Sequence, residues 1–321
     1  MTSGNEPVRV ALCGLGNMGS AIAGRLADTG WPVLVHDLDA RRIRQAAEAP
    51  GVTAAASLAE LASADVVLLS LPTPKASLEV VSELAPRMRA EPDTATDATT
   101  DTAPVIVETS TVNPPDMTAA DEVCAPHGVG IIDAAILSGV AQMRSGSASL
   151  LVGGQERHTR TAAPVLDAIS ASSRHFGPLG GGMAAKVINN AVAHAVMVVL
   201  SEAGALAAAT GVSGTALAEL LGGADAGLTR PLTHRFVERI LRAEYEGGMP
   251  TEAARKDSTL ALELAQRTNV PLFALQSSHT VYELGTAEGL GRYDYSAIAT
   301  LWERWTGRPM SETGEHGGGD Q

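Results

Sequence analysis

A chain of 321 residues is long enough for two domains around a cleft, and 45% hydrophobic against 18% charged residues excludes a disordered or fibrous polymer. A formal net charge of -13, with no Lys/Arg-rich stripe to offset it locally, argues against nucleic acid as a partner and leaves a small-molecule substrate as the expected ligand. Cys13 and Cys124 are the only cysteines and lie in no metal-ligand spacing, so reduced thiols in a cytoplasmic protein are expected and a metal is not.

Taken in chain order, residues 8–13, 33–35, 66–71, 105–107 and 130–132 are short apolar runs that read as buried strands. Helix-like segments such as 18–29 and 76–88 alternate with them, a rhythm that implies βαβ units and a parallel sheet covered on both faces. The run EPDTATDATTDTAP at 91–104 has no periodicity and reads as an inert insertion into a connection that is normally short. From Gly180 the rhythm stops. Residues 184–210 read as one long helix, followed by further helices. The expected fold is therefore α/β: a Rossmann-type, doubly wound domain over 1–179, an all-α domain over 180–306, and a disordered tail over 307–321. The most apolar helical stretch, 191–200, is too short to span a bilayer and contains His194, so no membrane partner is expected.

Gly14, Gly16 and Gly19 stand in G-x-G-x-x-G spacing directly after the first strand and at the start of an amphipathic helix. The spacing suits a dinucleotide because one glycine makes the tight turn and the next lets backbone approach a pyrophosphate. The last allows close helix–strand packing, with the helix N-terminus facing the phosphates. Asp37, about 20 residues on at the end of the next strand, completes the fingerprint. A carboxylate there accepts hydrogen bonds from a ribose 2′-OH and repels a 2′-phosphate, which favours NAD over NADP. Arg41 and Arg42 are the counterweight, since a guanidinium can hold that phosphate.

In GGGMAAKVINN, Lys186 and Asn190 are four residues apart and share one helical face, which the upstream glycines bring to the domain junction. A lysine at a cleft can take the proton of an alcohol during oxidation and return it during reduction, with Asn190 orienting the oxygen. The same lysine at a helix start is, on its own, more often a solvated surface residue.

The loop GLGNMG, with Leu15, Asn17 and Met18 between its glycines, resembles the N-terminal signature of the β-hydroxyacid dehydrogenases, which include the 3-hydroxyisobutyrate and tartronate-semialdehyde dehydrogenases. LSLPTPKA, ETSTVNP, GGGMAAKVINN, RKDSTLALELA and GLGRYDYSA resemble that family's later motifs, in order, so the likeness runs from Val8 to about Trp302. The resemblance implies hydride transfer between NAD(P) and a small hydroxyacid, with Lys186 and Asn190 as the catalytic pair. It also implies Leu71, Pro72, Thr111 and Lys256 at the cofactor, Asp257 at the substrate, and a homo-oligomer, dimer or tetramer, built through the helical domain.

One stretch departs from the family. Where its substrate loop reads D-A-P-V-S-G-G, this chain has Asp133-Ala134-Ala135-Ile136-Leu137-Ser138-Gly139. Leu137 takes the serine's slot and Ser138 comes one residue late, leaving the Ser138 and Gly139 amides to receive a substrate carboxylate. The same stretch is similar to that of imine reductases, so C=N reduction is an alternative. A dinucleotide-binding protein without catalysis is a third reading.

Overall fold

The computed structural model describes residues 8–88 and 103–312. Most of the 91–104 run, and residues 313–321 of the expected tail, lie outside the described residues. The chain forms two compact units, Met1–Ala191 and Val192–Gln321.

The first unit is built on eight strands: β1 Val10–Cys13, β2 Val33–His36, β3 Val52–Ala54, β4 Val66–Leu69, β5 Val105–Glu108, β6 Gly130–Ile136, β7 Ser149–Gly153 and β8 Ser172–His175. Their order in the sheet, β3-β2-β1-β4-β5-β6-β7-β8, reverses direction of growth at β1, as in a doubly wound fold. The helices interleave as α1 Asn17–Asp28, α2 Ala40–Ala46, α3 Pro74–Leu84, α4 Pro114–Cys124, α5 Val140–Ser145 and α6 Glu156–Ile169. Alternate strand residues feed two separate cores. Val10, Leu12, Val66 and Val107 pack with Ile22 and Leu26 of α1 and Leu166 of α6. Ala11, Cys13, Val67 and Ile106 pack with Val81 of α3 and Met117 of α4 on the other face.

The sheet is not wholly parallel, because β6 and β7 run antiparallel. The six residues of α5 rise only about 9 Å, too little to return along a seven-residue strand of about 23 Å, so the chain comes back as a strand instead. The short β3 and the exposed edge strand β8, Ser-Ser-Arg-His, carry too little apolar pattern to be read from sequence.

Helix α7, Gly181–Thr210, begins in the first unit and continues into the second, which adds α8 Gly214–Gly222, α9 Thr251–Thr268, α10 Ala274–Gly285 and α11 Ala299–Thr306. Thirty residues make α7 long and apolar enough to cross a membrane by length and composition, which corrects the reading of its apolar stretch as too short. It is also tied to α10: Glu202 is buried and its carboxylate accepts the Phe273, Ala274 and Leu275 amides, at 2.6, 2.8 and 3.0 Å, capping the start of that helix. The buried apolar side chains of this unit, among the described residues, are Ala207, Ala265, Ala297, Ala299 and Leu301, while Val192, Met197, Leu220 and Phe273 are each more than half exposed. Of the expected tail, the described part is held: Met310 donates its amide to Glu303 and Glu312 donates its amide to the Leu241 carbonyl.

Candidate cofactor groove and active site

The turn after β1 is possible only because its residues lack side chains. Gly14 has φ +97°, and a Cβ there would collide with the Ser70 carbonyl; one on Gly19 would collide with the Gly14 carbonyl, fixing how closely α1 packs on the turn. Gly16 differs, because a Cβ would meet no protein atom within 4 Å. The space it leaves open lies before the first turn of α1, whose amides no side chain caps. Open space, free amides and a helix N-terminus of positive potential together fit a pyrophosphate.

That space belongs to a groove of about 920 Å³ lined by Gly14, Gly16, Asn17, Met18, Asp37, Leu71 and Pro72, with His36 of β2, Leu38 and Asp39 after it, Arg42 of α2, and Glu79 and Glu83 of α3 beyond them. Seven expected cofactor residues are thus brought together. Leu15 is buried just below, with Gly19 packed under the turn. Thr111 stands exposed in the loop after β5 and does not line the groove. Lys256 lies on α9 with its amine 3.1 Å from the Asp257 carboxylate, and both side chains are more than half exposed.

The two oxygens of Asp37 are already engaged: Oδ2 accepts the Leu15 amide at 2.6 Å and Oδ1 accepts the Asp39 amide at 2.7 Å. Asp39 caps α2 and accepts from the Arg41 amide and guanidinium at 2.9 and 3.0 Å; these bonds hold its carboxyl down at about 2. Arg42 sits between the two acids, 3.6 Å from Asp37 and 4.0 Å from Asp39. Behind the groove, the Leu71 amide donates to Ser110 Oγ at 2.7 Å, and the Ser110 amide donates to the buried Glu108 at 2.7 Å. Burial pushes the Glu108 carboxyl up, against the hydrogen bonds from Ser110.

In the loop after β6, where sequence places the substrate, Leu137 is 36% exposed and its amide donates to the Ser149 carbonyl. The Ser138 hydroxyl is consumed locally, donating to the Leu137 carbonyl at 2.7 Å and accepting the Ser149 amide at 3.1 Å. Gly139 follows as the residue before α5.

Lys186 is half-buried in the second turn of α7, with Asn190 one turn further on the same face. Burial pushes the Lys186 amine below its ordinary value, and no carboxylate among the described residues pairs with it. An amine kept partly dry and without a counter-ion gives up its proton more readily than a solvated lysine. Sequence reasoning passed over two carboxylates beside this region, Glu108 and Asp133, which pair in register on neighbouring strands. The signal was present: each is an acidic residue in an otherwise apolar strand, VIVE and GIIDAAI.

Comparison with known proteins gives the following. The family model for the NAD binding domain of 6-phosphogluconate dehydrogenase matches residues 9–185, and that for the NAD-binding region of NADP-dependent 3-hydroxyisobutyrate dehydrogenase matches residues 180–302. A 2-(hydroxymethyl)glutarate dehydrogenase of Eubacterium barkeri is 29% identical over 307 residues, covering 95% of this chain and 98% of that one. The solved structure of Mycobacterium tuberculosis 3-hydroxyisobutyrate dehydrogenase with L-serine is 26% identical, with a TM-score of 0.62 over 92% of this chain and 99% of that one. An imine reductase of Streptomyces aurantiacus shares the fold with a TM-score of 0.78 at 20% identity, over 92% of this chain and 99% of that one.

Proposed function

The chain belongs to the β-hydroxyacid dehydrogenase family, and we propose that it oxidises a small hydroxyacid, or reduces the matching carbonyl compound, with NAD as its preferred partner and Lys186 as the acid/base. It is an NAD(P)-linked oxidoreductase acting on CH–OH groups, as are its named relatives. The nicotinamide, when bound, accepts or supplies the hydride. The observation that carries the reading is the half-buried amine of Lys186, which has no carboxylate partner among the described residues. In its neutral form this amine takes the hydroxyl proton as the carbon is oxidised and returns it on reduction, while Asn190 holds the same oxygen. The amides of Ser138 and Gly139 are suited to the substrate carboxylate.

NAD is supported by the acids at the groove rim. Asp37 and Asp39 both line the groove and engage Arg41 and Arg42, and two carboxylates there disfavour a 2′-phosphate. A homo-oligomer is supported by the apolar side chains left exposed on α7, among them Ile188, Val192 and Met197, which a second copy would cover. Cytoplasmic residence is supported by Cys13 and Cys124, both buried, unbonded and with thiols pushed up to about 12 by burial.

Leu137 supplies the one specific argument for imine reduction, because it puts an alkyl wall where a polar contact is usual in the family. One screen separates the readings: NAD and NADP reduction with a panel of hydroxyacids, beside imine reduction with both reduced cofactors. Hydroxyacid oxidation with NAD that disappears in Lys186→Met supports the proposal. Turnover confined to imines, or no hydride transfer with any substrate, overturns it.

A further inference from the structure

We infer that Asp133 is a positioning residue for the active site, fixing the rotation and axial position of α7 and therefore the placement of Lys186 and Asn190. The inference rests on the reading of Lys186 as the acid/base. Asp133 is fully buried in the middle of β6, between Glu108 of β5 and Gly153 of β7. Its carboxylate reaches beyond its own strand. Oδ1 accepts the Gly180 amide at 2.6 Å and Oδ2 accepts the Met183 amide at 2.8 Å, and the Gly182 amide also bonds to it. A helix usually takes its cap from a side chain next to it in sequence. Here the residue before α7 is Gly180, which has no side chain to offer and is held at φ +88°, so the cap comes from a strand 47 residues earlier.

The seat around this cap is shaped by missing side chains. A Cβ on Gly153 would lie 2.6 Å from Asp133 Oδ1 and 2.8 Å from the Gly181 nitrogen. A Cβ on Gly182 would run into the Leu151 carbonyl and lie 2.8 Å from Asp133 Oδ2. The first turn of α7 thus rests directly on β6 and β7, with Met183 buried in the core beneath it. Lys186 follows one turn after Met183. Because both carboxylate oxygens are used at once, the helix is fixed against rotation as well as sliding, which a single hydrogen bond does not achieve. Small errors in the placement of an acid/base group have large kinetic consequences.

The test uses the near-isosteric Asp133→Asn, which presents an N–H to an amide that now has an acceptor. The sequence contains three lysines, Lys75, Lys186 and Lys256, so ε-¹³C-labelled lysine gives a spectrum in which Lys186 is identified by its loss in Lys186→Met. In Asp133→Asn, kcat is expected to fall about tenfold or more while Kd for NAD stays within about twofold. The Lys186 resonance moves and those of Lys75 and Lys256 do not. An unchanged kcat with an unmoved Lys186 resonance overturns the inference, as does a loss of NAD binding equal to the loss of kcat. Turnover surviving in Lys186→Met defeats the acid/base reading instead, and the resonance of Lys186 in Asp133→Asn still reports the positioning. If Asp133→Asn does not fold, amide exchange in the unmodified protein decides: slow exchange at Gly180 and Met183 supports the cap, and exchange at the rate of open first-turn amides refutes it.

Discussion

Asp37 and Leu15 are joined across the floor of the cofactor groove, the Leu15 amide donating to Asp37 Oδ2 at 2.6 Å. The acid that is expected to read the ribose therefore also braces the glycine turn. Asp37→Ser should weaken NAD selectivity by about 1–3 kcal/mol, the scale of a lost charge-assisted hydrogen bond. Because the brace goes too, binding of both cofactors should fall, which titration with NAD and NADP separately would reveal. A preference for NADP in the unmodified protein sinks the assignment.

Asp39 has the complementary role. It caps α2 and holds both Arg41 and Arg42 in its field. Asp39→Ser keeps a capping hydroxyl but releases Arg41, while Arg42 keeps Asp37, and kcat/KM with NADP should rise about tenfold, the worth of one regained charged hydrogen bond. NADP kinetics unchanged by the substitution would show that these arginines point elsewhere when the cofactor binds.

Lys186→Met should cut turnover about 100-fold or more and leave Kd for NAD nearly unchanged, since the amine is proposed to act on the substrate oxygen. The pH dependence has a definite sign. Oxidation needs the neutral amine, so its rate rises as pH passes upward through the Lys186 pKa, and burial places that limb below the ordinary lysine value. Reduction needs the ammonium form and falls over the same range. Initial rates in both directions, followed up to the ordinary lysine value of about 10.4, check this.

Glu202 offers a test of the helical unit alone. Burial raises its carboxyl, but the three amides of α10 outweigh that and hold it below the ordinary carboxylate value. A depressed folded-state pKa gives stability that is present above the unfolded value, about 4.3, and lost as pH falls through the folded one. Glu202→Gln should cost about 2 kcal/mol at neutral pH and flatten the acid limb of thermal stability. An identical acid limb in the variant contradicts this account.

Much of this was legible in advance, for reasons that differ between residues. The dinucleotide turn is local chemistry, so Gly14, Gly16, Gly19 and Asp37 declare themselves by spacing and land in or beneath one groove. Asp39 caps the helix that follows it, a local signal that was passed over. Asp133 could not be assigned this way, because its partners Gly180 and Met183 are joined to it only by the sheet. Strand β8 escaped because an exposed edge strand of Ser, Arg and His has no buried face to pattern. The antiparallel β7 escaped because direction depends on the length of α5, not on the composition of the strand.

The substrate loop yields the last prediction. Leu137 presents an isobutyl group, 36% exposed, at the end of β6, where the family pattern has a serine. The neighbouring Ser138 cannot substitute, because its hydroxyl already donates to the Leu137 carbonyl and accepts from the Ser149 amide. If Leu137 faces the substrate as proposed, the pocket wall is alkyl, and a substrate with polar groups on both sides of the reacting carbon leaves one of them poorly paired, at a cost of about 1–3 kcal/mol. A larger or less polar hydroxy compound meets the wall without that cost. Leu137→Ser should raise kcat/KM for short, polar 3-hydroxyacids by about tenfold and lower it for bulkier ones, since discrimination follows the difference in transition-state contacts. Steady-state kinetics on both substrate types decide the matter. If the unmodified enzyme already handles short polar hydroxyacids efficiently and the exchange changes neither series, then Leu137 does not face the substrate.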